Sequence, residues 1–229
     1  MKLLLCSDFK NIGYKYLKKF FNLKQKHTCL FVNYASDDFD GVTPCEGSSM
    51  DRLKSLNFDI VELIENFDFS TKVDAIFVRG GNATKLVHLL RKFNQYEKII
   101  ELCKNDVVYI GESAGALLVG SDTEWTLRTE PYDFDVKKEY GKNALKGFGF
   151  VDKMIFVHCS KYRFPYSCEV TGDELVRLPN TEYYNAYLGD KKLYDKSLYI
   201  TLGNNQVYYE NEKEKKILTY NWSYIPVVK

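Results

Sequence analysis

Residues 107–120 read VVYIGESAGALLVG and place one serine, Ser113, between Gly111 and Gly115. A buried strand that ends at Gly111, followed by a helix opening within two residues of Ser113, would lift the hydroxyl to the crest of a sharp, strained turn. In an open α/β sheet that crest lies at the carboxyl ends of the parallel strands, where ligands bind. The chemistry open to such a serine is attack on a carbonyl carbon. A small residue at an ordinary strand-to-helix turn satisfies the same five positions, so the partners have to decide.

A serine hydroxyl needs a base, and histidine is the usual one. Three histidines are present, His27, His88 and His158. His27, in KQKHTCL ahead of a strand, is expected in an exposed loop, and His88, inside the helix that follows GGN, at a surface or rim. His158 closes the apolar run FVDKMIFVHCS (150–160), on the sheet edge where strand ends deliver functional groups. It is the preferred base for Ser113. An oxyanion formed by attack would need backbone N–H donors. One is the Ala114 amide at a helix N-terminus. A second is available from FVRGGNATKL, where Gly80-Gly81 lets amides point outward with no Cβ in the way. The same glycines also suit a tight connection capped by Asn82 or Thr84. The six cysteines show no C-x-x-C pair and no clustering with histidine, so free buried thiols are expected and no metal. Cys159, beside His158, is the one that an imidazole could activate.

Positioning these groups requires a sheet. Short apolar runs alternate with longer amphipathic ones through the first half, the pattern of a parallel sheet wrapped by helices. Strands are expected at 2–6, 28–35, 58–64, 74–80 and 107–111. The clearest helix spans NATKLVHLLRKFNQYEKIIELCKN, where Leu86, Leu89, Leu90, Phe93 and Ile100 recur near helical period. Residues 122–147 read as a long irregular segment, with Trp125, Tyr132 and Phe134 available to wall a site. SLYITLG, QVYYE and KKILTYNW read as a terminal meander of antiparallel strands.

At 229 residues the chain can bury a full core, roughly 70% of its unfolded surface. One domain over 1–229 is the economical reading. With 32 basic against 31 acidic residues, nothing in the charge balance suggests nucleic acid or an anionic membrane. The apolar run in MKLLLCSDF breaks too early for a signal-peptide core, and no run approaches the length of a membrane span. A cytoplasmic protein is expected. The many tyrosines and phenylalanines are compatible with a homodimer interface, although scattered aromatics more often belong to a core.

The sequence resembles the S51 peptidase family, which includes dipeptidase E and cyanophycinase. The resemblance rests on FVRGGNATKL, on VVYIGESAGALLVG and on the downstream strand ending in His158, and it runs in the same order through most of the chain. It implies a mostly parallel sheet flanked by helices, similar to class I glutamine amidotransferases and flavodoxin-like, with C-terminal antiparallel strands. It further implies a serine hydrolase, without cofactor, acting on short peptides. By that resemblance Ser113 matches the nucleophile, His158 the general base, and Gly81 and Ala114 the oxyanion positions. Asp133, in RTEPYD, matches the third member with one residue inserted, and Asp135 competes for the place. Two departures are visible. The late turn Leu202-Gly203-Asn204-Asn205-Gln206 lacks the acidic residue that relatives often carry there, leaving Asn204 as an alternative orienting group. The segment CSKYRFPYSCEVTGDELVR does not match the stretch associated with aspartyl recognition, where Lys161, Arg163 and Arg177 are anion candidates. An esterase shares the order serine, acid, histidine, but 71 residues follow His158 and an HGGG-type motif is missing. A non-catalytic binding or sensor protein on the same fold is the reading from another class.

Overall fold

The computed structural model describes residues 1–36, 48–123, 134–157, 199–202 and 206–219. The chain opens with β1 (Lys2–Cys6), a 3-10 helix (Gly13–Lys19), β2 (His27–Val32), α1 (Ser48–Lys54), β3 (Phe58–Glu62) and β4 (Ala75–Val78). There follow α2 (Ala83–Lys92), α3 (Tyr96–Lys104), β5 (Val108–Glu112), α4 (Ala114–Leu117) and α5 (Val136–Tyr140). The last elements are β6 (Met154–Phe156), β7 (Tyr199–Thr201), β8 (Gln206–Glu210) and β9 (Lys215–Thr219).

Seven strands form one sheet in the order β3-β2-β4-β5-β1-β8-β9. The first five are parallel, and β8 and β9 extend the sheet antiparallel beside β1. Parallel strands need crossover helices, which cover both faces and bury the strands on both sides. Alternate residues accordingly enter two cores. Leu4, Phe31 and Phe77 pack with Leu17 of the 3-10 helix and Leu53 of α1. Leu3, Leu30 and Ile76 face the opposite way, toward Leu86 and Leu90 of α2 and Ile99 of α3. The period of two along each strand produces this division.

Three expectations are revised. The helix expected over 82–105 is two helices: Asn94 takes φ 54° between them, and Gln95 is held by tertiary bonds. The Gln95 side chain accepts from Tyr34 Oη at 2.8 Å and donates to the carbonyls of Ile64 at 2.7 Å and Glu65 at 3.1 Å. These buried polar contacts outweigh continuation of the helix, which hydrophobic period alone had favoured. Within the described part of the strand expected over 150–160, residues 150–157, the strand covers Met154–Phe156. Tyr199–Thr201 belongs to no meander, because it pairs in parallel with β6 in a separate two-stranded sheet. Among the described residues the antiparallel hairpin is β8 and β9.

Candidate active site

Strands β4, β5 and β1 lie side by side, with Val78 opposite Gly111 and Cys6 opposite Glu112. The residues that leave their carboxyl ends therefore emerge together. Ser7, Asp8 and Lys10 follow β1, Arg79, Gly80 and Gly81 follow β4, and Glu112 and Ser113 end β5. With Ser49 of α1 they line an open cleft of about 330 Å³.

Ser113 adopts φ 48° and ψ −109°, a combination that side-chain-bearing residues rarely occupy. The surroundings hold it there. Its N–H donates to the Cys6 carbonyl at 2.9 Å, and its carbonyl accepts from Ala116 N at 2.9 Å and Leu117 N at 3.0 Å, starting α4. A Cβ on Gly115 would overlap the Val78 carbonyl, so glycine there lets α4 seat directly on β4. Tyr109 Oη, donating to the Gly115 carbonyl at 2.7 Å, clamps the same turn from below.

Gly81 has φ 139°, and a Cβ on it would overlap the Ala35 carbonyl oxygen. That carbonyl accepts from Asn82 N at 2.7 Å, and the Asn82 side chain caps α2 by accepting from Lys85 N at 2.9 Å. The Gly80-Gly81 connection is thus pinned from both sides. Among the described residues neither the Gly81 N–H nor the Ala114 N–H makes a protein hydrogen bond.

Sequence reasoning passed over four charged residues of the cleft, Asp8, Lys10, Arg79 and Glu112. Arg79 donates from Nη1 to Asn33 Oδ1 at 2.9 Å and, among the described residues, forms no ion pair. Glu112 Oε1 accepts from Phe9 N at 2.9 Å and from Ser49 Oγ at 3.2 Å, and Oε2 accepts from Ser49 Oγ at 3.1 Å. Burial pushes the Glu112 carboxyl above its ordinary range, opposed by those two donors and by the positive charge of Arg79. The available signal was position: Arg79 and Glu112 each sit where an expected parallel strand ends.

The other site residues fall out differently. His27 is the first residue of β2, at the amino end of the sheet and so opposite the cleft. It packs on Phe21 and Phe58, with Nε2 3.0 Å from the Asn22 carbonyl, where an exposed loop was expected. His88 is buried and not a rim residue, its ring 3.8 Å from that of Phe134 and its Nδ1 3.5 Å from Tyr140 Oη. Burial lowers its pKa, with Lys92 adding to the effect. Asp135 is exposed and caps α5 by accepting from Lys138 N at 3.0 Å. Asp133, His158, Cys159 and Asn204 lie outside the described residues, as do Trp125, Tyr132, Lys161, Arg163 and Arg177. The end of β6, two residues before His158, is tethered to the cleft: Leu202 N donates to the Phe156 carbonyl at 2.8 Å, and Ser7 Oγ donates to the Leu202 carbonyl at 2.9 Å.

Cys6, Cys29 and Cys103 are free and buried, and burial raises all three thiols, Cys103 to about 12. Among the described residues no group of three or more His, Cys, Asp or Glu is arranged to hold a metal ion. None of the described helices is long and apolar enough to cross a membrane.

Peptidase E of Haemophilus influenzae strain Rd is 33% identical over 131 residues, 53% of this chain and 59% of that protein. Its counterpart from strain PittGG is 32% identical over 131 residues, 53% of this chain and 55% of that one. The chain therefore spans less than two thirds of the length of these curated relatives. A Listeria monocytogenes EGD-e protein described as a candidate peptidase E superposes with a TM-score of 0.68 at 21% identity, over 96% of this chain and 98% of that one. A peptidase from an acI-B1 Actinobacterium gives 0.60 at 14% identity, over 96% and 87%. Those two likenesses show the shared α/β fold. The model of peptidase family S51 matches residues 3–184, a span that takes in the Gly80-Gly81 connection and the strained turn at Ser113, and the chain belongs to that family.

Proposed function

We propose that the protein is a serine peptidase that hydrolyses short peptides through an acyl-enzyme on Ser113. The observation that carries this reading is the backbone of Ser113, held in a rare conformation at the crest of the cleft beside two amides that bond to none of the described residues. A non-glycine residue is kept in such a conformation when its surroundings over-determine it, and such residues cluster at reactive sites.

In this mechanism Ser113 Oγ attacks the peptide carbonyl carbon while His158 takes its proton. The N–H groups of Gly81 and Ala114 receive the negative charge on the former carbonyl oxygen. The C–N bond then breaks, and His158 delivers the proton to the departing amine. Water attacks the ester by the same route in reverse, with His158 again as base. His158 is favoured because His27 stands at the far end of the sheet and His88 is packed beneath α5. The tether from Ser7 through Leu202 to the end of β6 also brings the approach to His158 toward the cleft. Asp133 is assigned to orient the imidazole, because Asp135 is engaged as a helix cap.

Arg79 and Lys10 supply positive charge in the cleft and support an acidic substrate group, including an aspartyl residue at the scissile bond. The free thiols Cys6, Cys29 and Cys103 fit the reducing cytoplasm. The test is hydrolysis of Xaa-Leu and Xaa-Ala dipeptides, Asp-Leu among them, by wild type, Ser113→Ala and His158→Ala. Cleavage lost in both variants supports the mechanism. Cleavage retained in Ser113→Ala refutes it, as does failure of a serine-directed phosphonate to label Ser113 in folded protein.

A further inference from the structure

Glu112 stands next to the nucleophile and has no part in the steps above. Its side chain is half-buried and lines the cleft. Two neutral donors fix the carboxylate, the Phe9 amide and the Ser49 hydroxyl, and among the described residues no lysine, arginine or histidine pairs with it. An ionised carboxylate offers about four lone-pair sites. Phe9 and Ser49 use two on Oε1 and one on Oε2, so Oε2 keeps the capacity for a further donor. A partly desolvated carboxylate that makes no direct ion pair among the described residues, and feels as positive charge only that of Arg79 in the same cleft, favours a cation that enters beside it.

The cleft also has a positive side. Arg79, steadied by Asn33, and the exposed Lys10 sit opposite in charge to Glu112 and Asp8. Two basic and two acidic groups around one serine suit a ligand that carries both charges, and a short peptide with free termini is such a ligand. Its α-ammonium is bonded to the carbon next to the first peptide carbonyl. When that carbonyl is under attack by Ser113, the ammonium lies within one residue's length of the nucleophile, and Glu112 is the residue preceding Ser113 in the chain.

Resting on the peptidase reading, we propose that Glu112 is the specificity residue that binds the free α-ammonium of the substrate's N-terminal residue and thereby restricts hydrolysis to the first peptide bond. A peptide with a blocked amine offers neither the charge nor the three-fold donor. It leaves the Glu112 carboxylate without that added partner.

The experiment compares a dipeptide with its N-acetylated form on wild type, Glu112→Gln and Glu112→Asp, with Ser113→Ala as the blank. Glutamine preserves size and an acceptor for the Phe9 amide while removing the charge. Wild type is expected to prefer the free amine strongly. Glu112→Gln should close that ratio by about 10- to 100-fold, through KM more than kcat, as expected for a lost charge-assisted contact. Glu112→Asp should recover part of the ratio. An equal fall on both substrates in a folded Glu112→Gln protein assigns Glu112 a structural role and overturns the proposal. So does wild-type protein that cleaves both forms alike, an outcome that leaves the peptidase reading standing. Absence of any Ser113-dependent hydrolysis overturns the peptidase reading, and the proposal falls with it.

Discussion

The Ser7 hydroxyl donates a 2.9 Å hydrogen bond to the Leu202 carbonyl, joining the wall of the cleft to the strand pair β6 and β7 across 195 positions of sequence. Both groups are buried, and Ser7 lies two residues nearer the C-terminus than the β1 position opposite Gly111.

Removing that bond is informative because Ser7, although it lines the cleft, takes no part in the proposed chemical steps. Ser7→Ala leaves the Leu202 carbonyl without this donor and should lower stability by about 1 to 3 kcal/mol, the cost of a buried group left unsatisfied. Under the proposed mechanism it should also reduce kcat, since the end of β6 leads to His158. Thermal unfolding beside dipeptide kinetics measures the two effects. An unchanged kcat in a destabilised protein would show that the tether does not position the base.

The strain at Ser113 predicts an exchange of stability for activity. A non-glycine residue in such a region costs on the order of 1 to 3 kcal/mol, and glycine relieves most of it. Ser113→Gly should therefore be inactive and unfold at a higher temperature than wild type. Ser113→Ala should be equally inactive without that gain, so calorimetry on the pair isolates the backbone contribution.

Gly81 gives a prediction of the opposite kind. Ala at a φ of 139° is strained and would meet the Ala35 carbonyl oxygen, so the Gly80-Gly81 connection must move. If its amide holds the oxyanion, kcat should fall by about 10²- to 10³-fold in Gly81→Ala. Circular dichroism should show a retained fold, because the strand cores are untouched. Activity within a few-fold of wild type would remove Gly81 from the oxyanion site.

Glu112 links pH to stability. Its carboxyl is held above its ordinary value of 4.5 in the folded protein, chiefly by burial, so the folded state binds that proton more tightly than the unfolded chain. Its contribution is therefore fully present below the unfolded value and is lost as the pH rises through the raised folded one. Glu112→Gln carries no such penalty. The variant should exceed wild type in Tm at neutral pH, and the difference should shrink as the pH falls below 4.5. A difference that is independent of pH would trace the change to packing.

The sequence made the sheet and the elbow legible for a physical reason. Apolar runs buried on both faces, such as KLLLC and AIFV, are short and unambiguous, and the glycines at 111, 115 and 81 are needed for close approach or for a positive φ. The break between α2 and α3 was hidden because Phe93 and Ile100 keep helical period across it. What divides the helices is the bonding of Gln95 to Tyr34, Ile64 and Glu65, which only the fold brings together. His27 was misread as exposed for the same reason: polar flanks in KQKHTCL conceal the rings of Phe21 and Phe58 that cover it. Arg79 and Glu112 stand at positions that the two glycine motifs leave unspecified. Their place in the cleft follows from the adjacency of β4, β5 and β1, which a linear pattern does not contain.

That adjacency also fixes when the cleft can come into being during folding. β1 aligns with β5 at Lys2 and Val108, so closing the site requires the chain to surrender the freedom of more than a hundred intervening residues. Pairings of such high contact order form late and slowly. Refolding followed by a serine-directed probe should therefore lag behind the return of helical signal, and no fragment lacking either strand should regain reactivity at Ser113.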